Sequence, residues 1–206
     1  MNYAPRTYIV RFTAIVCLLF VASVNGLRAQ DQSDTGKVSP STPHVELGSV
    51  KDAKPEELAK ITEAIANLNK VLASPEFKSD VLSMHASTKA GHSNQEIYDL
   101  MVSKSPIKLN VNVFDGTPEQ NEKYHTEGYE EESEPNTCFV NRYFWKDEYK
   151  YSAGFLSSLM LHESTHVLGF VHHNLWRKHS SVPYTMNYIY DDVAPKLGLP
   201  SSSVPR

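Results

Sequence analysis

The chain of 206 residues carries 20 basic and 24 acidic side chains, a net charge of −4, and 40 % hydrophobic residues with only two cysteines. Acidity of this order gives no support for nucleic acid or an anionic membrane as partner, since either would favour a basic patch. Length and apolar content are those of one domain with enough chain to bury a core.

Residues 1–29 read as an export signal: Arg6 and Arg11 lead into the apolar run AIVCLLFVASV, and LRA before Gln30 offers a small-residue cleavage site. The run is too short for a comfortable membrane span, so the expected product is soluble and secreted or periplasmic, with an uncleaved N-terminal anchor as the alternative. Cleavage removes three arginines and no acids, leaving 17 basic against 24 acidic side chains, or −7. It also removes Cys17, so Cys138 has no partner for an intrachain disulfide and is read as a small buried hydrophobe.

Residues 30–53 mix Ser, Pro, Asp and Gly with few large apolar groups and are read as a flexible linker or short pro-segment. Residues 54–206 then form the working domain. Pro55, Glu56 and Glu57 make a good first helical turn, and Leu58, Ile61, Ile65 and Leu68 follow at helical spacing to about Leu72. A short second helix is expected from Pro75 to Met84, and a third opens at Ser93, with Glu96 in capping-box position. Ile107, Leu109, Val111 and Val113 alternate with polar neighbours and stop at Asp115-Gly116, the pattern of a half-buried strand entering a turn. Residues 117–137 are polar and acidic and are read as a solvated loop, with calcium ligation or a substrate rim as the alternative. CFVNRYFW, residues 138–145, is a second expected strand.

From Ser152 the sequence SAGFLSSLMLHESTHVLGF predicts a helix to about Leu168. At about 100° per residue, His162 and His166 extend an apolar stripe that includes Phe155 and Leu159, with Glu163 set to one side. Imidazoles on a core-facing stripe must be hydrogen-bonded or ligated, and zinc does the latter for two histidines at i and i+4. Gly169, three residues on, can take positive φ and turn the chain back, so that His172 approaches as a third ligand. Glu163 can face a water in the fourth position and act as its general base. His173 and His179 fall outside this spacing and are assigned surrounding or surface roles; His44, His85, His92 and His125 are scattered and expected to be solvated.

HESTHVLGFVH resembles the extended zinc signature of the metzincin metallopeptidases at every specified position. The resemblance implies an α+β domain, with a mixed sheet packed on the active-site helix and N-terminal helices beside it. It implies that Met186, in SVPYTMNY, forms a turn beneath the metal, and that Tyr188 serves as a movable metal ligand or oxyanion stabiliser; a packed aromatic is the other reading of Tyr188. The chain departs from the clan in carrying Tyr184 where serine is common two residues before the methionine. After that turn, IYDDVAPKLGLP is expected to form a closing helix whose N-terminus Asp191 and Asp192 favour, with the orienting of a zinc-bound imidazole by one of those acids as the alternative.

The function expected is that of an exported zinc endopeptidase acting on protein or peptide substrates, with CFVNRYFW as the sheet edge along which the substrate lies. A metal-stabilised binding module without turnover and a metallohydrolase of cell-wall peptides are the alternatives. There is no G-x-S-x-G elbow for serine catalysis. Oligomeric state and cleavage preference are not encoded in any motif.

Overall fold

The computed structural model describes residues 44–87, 89–103, 106–123, 128–130, 133–146, 152–172 and 180–202, all within the compact unit Ser39–Arg206. The export signal and the linker as far as residue 43 lie outside the described residues. Within them the fold is α+β, a four-stranded mixed sheet with five α-helices: β1 (Val45–Lys51), α1 (Pro55–Leu72), α2 (Pro75–Ser83), α3 (Asn94–Met101), β2 (Ile107–Phe114), β3 (Gly128–Glu130), β4 (Thr137–Asn141), α4 (Ala153–Val167) and α5 (Val182–Val193). No helix among the described residues is long and apolar enough to cross a membrane.

The sheet runs β1-β2-β4-β3, parallel across the first three strands and antiparallel at β3. β2 is the expected strand: Ile107, Leu109, Val111 and Val113 are buried and Lys108 is exposed. β1 corrects the linker reading, because Val45–Lys51 is an ordered edge strand with Val45 completely buried. Its anchor lies in α1, where the Asn69 carboxamide accepts the His44 and Val45 N–H groups at 2.8 and 2.9 Å and donates to the Val45 carbonyl at 2.8 Å. The pairing slips between Leu47 and Val50, where a Cβ on Gly48 would sit 2.3 Å from Asn110 Oδ1, so the absent side chain admits the close approach.

β4 is shorter than expected and lies inside the sheet. It ends at Asn141, whose Oδ1 accepts from Gly116 N at 3.1 Å and Tyr143 N at 3.0 Å, and Arg142–Lys146 continue as a 3₁₀ turn. Flanked by β2 and β3 and buried along its whole length, β4 cannot be the edge on which a substrate pairs. The solvated-loop reading of residues 117–137 is also corrected in part. Asn121 is buried in a single π turn (Glu119–Lys123) and accepts from the Asn141 carboxamide at 2.7 Å, while β3 supplies the outer strand. Three residues suffice for β3 because Tyr129 stacks on Phe139, the planes 4° apart and the centroids 4.8 Å.

α1 and α3 start where capping chemistry places them. Glu57 Oε2 accepts from Lys54 N at 2.7 Å, and Ser93 and Glu96 close a capping box at 2.7 and 3.2 Å. Along α1, Ile61, Ile65 and Leu68 are buried as expected, whereas Leu58 is 43 % exposed and Glu57 turns inward to Arg142 Nε at 2.9 Å. α4 packs against both α1 and α5. α5 replaces the expected Met-turn and the separate closing helix: Pro183 stands in its first turn, and Val182, Met186, Ile189 and Val193 form its buried stripe. Asp191 therefore falls near the C-terminal end of this helix, where its carboxylate accepts Ser202 N at 2.8 Å and Ser202 Oγ at 2.7 Å.

Candidate metal centre

Ser152 caps α4 by accepting Phe155 N at 3.3 Å, and the helix delivers His162 (7 % exposed) and Glu163 (4 %) into the interior. Its other end closes as a Schellman motif. Gly169 has φ +89°, its N–H bonds the His166 carbonyl at 2.8 Å, and Phe170 N–H bonds the Thr165 carbonyl at 3.1 Å. This is the reversal expected of the glycine, and it carries His172 back to the helix.

The three imidazoles converge through their Nε2 atoms. His172 Nε2 lies 3.1 Å from His162 Nε2 and 3.2 Å from His166 Nε2, and all three ligating atoms fall within 4.8 Å of one another. Zinc–nitrogen bonds of about 2.0–2.1 Å in a tetrahedral set place ligand nitrogens about 3.3–3.4 Å apart. The donor set fits: three imidazoles of borderline softness, with two of their nitrogen–nitrogen separations close to that spacing. Desolvation first, then the neighbouring His166 and His172, holds His162 neutral to well below the usual imidazole range, the state in which an imidazole can ligate.

Two of the three rings are held by different uncharged partners. His166 Nδ1 lies 2.7 Å from the Phe170 carbonyl, which can only accept; this nitrogen therefore carries the hydrogen and the Nε2 lone pair is free. His172 Nδ1 lies 3.1 Å from Ser181 Oγ. The Asn187 side chain favours a proton on His162, and among the described residues neither His162 Nδ1 nor Asn187 Oδ1, both buried, has a hydrogen-bonded partner. The Tyr184 ring completes the wall, with centroids 4.9 Å from those of both His162 and His172.

Of the residues expected at the site, His162, His166 and His172 are brought together and Glu163 is buried beside the first. Met186 is fully buried, but within a helix rather than a turn. Tyr188 lines a groove of about 540 Å³ between α2 and α5, with Asp80, Met84, Ile189, Asp192 and Lys196 among its neighbours. Asp191 is engaged with Ser202, and the imidazole orienters described above are a carbonyl and a hydroxyl. His92 is half-buried edge-on to Phe170 at 5.7 Å, and half-buried His44 is held below its ordinary pKa by burial, so neither is simply solvated; His85 is exposed. Cys138 is buried in β4. His125, His173 and His179 lie outside the described residues.

Sequence reasoning missed Ser181, Asn187 and the Phe170 carbonyl, and noted Tyr184 only as a departure from the clan. Ser181, Tyr184 and Asn187 recur at intervals of three, a polar stripe readable only once that segment is known to be helical. Comparison of the chain with family models, with curated proteins and with solved structures finds no match.

Proposed function

We propose that the chain is an exported zinc endopeptidase of metzincin type. The observation that carries this reading is the approach of His172 Nε2 to within 3.1 and 3.2 Å of the two helical imidazoles, across a glycine turn that no buried-histidine cluster requires. Bound zinc would act as a Lewis acid, polarising a scissile carbonyl and acidifying a water. The residues do the rest. His162, His166 and His172 would hold the ion, the Phe170 carbonyl keeps the His166 ring in the ligating tautomer, and the Glu163 carboxylate takes a proton from water and passes it to the departing amine nitrogen. Glu163 is 4 % exposed, so bulk water has little access to the carboxylate that makes this transfer.

The test is hydrolysis of a generic protein substrate, with purified cell-wall peptides assayed in parallel. Activity should disappear on chelation and return with zinc, and Glu163→Ala should lower it by about 10²- to 10⁴-fold while zinc stays bound. Zinc binding with no turnover on either substrate would leave a metal-stabilised binding module instead. Turnover unaffected by Glu163→Ala would overturn the mechanism.

A further inference from the structure

Ser181 stands at the N-cap of α5 with the extended backbone of a capping residue, φ −71° and ψ 160°. Serine is favoured there because its hydroxyl accepts an N–H of the first turn. Here the side chain makes no capping hydrogen bond, although the residue is completely buried. Its Oγ instead lies 3.1 Å from His172 Nδ1. The neighbouring residue is clamped as well: the Ser180 carbonyl accepts Ser87 N at 2.7 Å and Ser87 Oγ at 3.1 Å, joining positions 93 residues apart. The start of α5 is thus fixed from outside the helix, and its first side chain is turned from the helix toward the imidazole.

We propose that Ser181 is a positioning residue for the third ligand, its hydroxyl accepting the His172 Nδ1 proton and so aiming the Nε2 lone pair at the metal. The proposal rests on the zinc reading above. His162 and His166 are fixed by a continuous helix, whereas His172 is exposed and comes from beyond the helix end, so it is the ligand that most needs an outside restraint. Hydrogen-bond partners of ligating histidines contribute about 10- to 100-fold in metal affinity.

The experiment measures zinc affinity by competition with a chromogenic chelator, and thermal unfolding of the metal-free protein, for the wild type, Ser181→Ala and Ser181→Thr. The expected result is a loss of about 10- to 100-fold in affinity for Ser181→Ala, most of it restored by Ser181→Thr, with the metal-free unfolding temperature unchanged. If Ser181 acts as an ordinary cap, Ser181→Ala lowers the metal-free unfolding temperature by a few degrees and leaves affinity alone, which overturns the proposal. Equal affinity in all three proteins overturns it too, with the zinc reading intact. A wild type that binds no zinc overturns both.

Discussion

The ring of Tyr184 stands at 88° to that of His162, with centroids 4.9 Å apart, and leans at 42° to His172 at the same distance. One tyrosine thus touches two of the three imidazoles. The edge-to-face pair with His162 contributes about 0.5–1.5 kcal/mol, so Tyr184→Ala should weaken zinc binding by up to about tenfold. Tyr188, which lines the groove against α2, should tolerate Tyr188→Phe without loss of affinity. Titration of both variants with zinc separates the two tyrosines, and a larger loss from Tyr188→Phe would reverse their assignment.

Among the described residues nothing stands within 4 Å of a Cβ on Gly169, so substitution is opposed there by backbone conformation. Gly169→Ala should cost about 1–2 kcal/mol through its left-handed φ, and Gly169→Asn less, because asparagine enters that region more readily. Urea unfolding of the metal-free proteins checks the order Gly, Asn, Ala. The same substitutions should weaken zinc binding in that order, since the Schellman turn is what returns His172 to the helix.

Without metal, His162 must stay neutral in the fold while the unfolded chain protonates it near the ordinary imidazole value of about 6.5. Between that pH and the depressed folded value the unfolded state binds more protons, so stability rises with pH across this window and is lost as pH falls. In chelator, the urea midpoint should drop steadily as pH is lowered below about 6.5, and His162→Gln should flatten the slope. An unchanged slope in that variant would assign the dependence to another group.

Arg142 ties β4 to the start of α1. Its Nε bonds Glu57 Oε1 at 2.9 Å, Nη1 bonds Asp115 Oδ2 at 2.7 Å, and Nη2 reaches the Asp52 carbonyl. Asp115 is 79 % exposed and adds little, whereas Glu57 is 5 % exposed and would be left buried without its cation. Arg142→Ala should therefore cost about 1–3 kcal/mol. Arg142→Lys should not recover it, because an ammonium cannot span three separate acceptors in one plane. Denaturant midpoints of the two variants decide this.

Much of this was legible in the sequence where the signal was local. Pro55 with its two glutamates, Ser93 with Glu96, and the glycine after His166 each specify a backbone event within a few residues, and each occurs there. β1 was not legible, because its place depends on the Asn69 carboxamide 24 residues away and its apolar pattern is broken at Gly48 and Ser49. β3 is too short to show a period, and Tyr129 holds it by stacking across strands. α5 is a different case. Val182, Met186, Ile189 and Val193 carry a helical period, but the likeness of SVPYTMNY to a Met-turn outweighed it. With that helix unread, Ser181, Tyr184 and Asn187 could not be placed around the imidazoles.

The Ser87–Ser180 clasp joins segments that leave the ribosome far apart in time. Two imidazoles are synthesised on one helix, while the third is secured only after the start of α5 has docked against a loop made 93 residues earlier. On the proposed zinc reading, a nascent or nicked chain ending before Ser180 would present a two-pronged site of low affinity, and tight metal retention would be a signature of completed tertiary assembly rather than of helix formation.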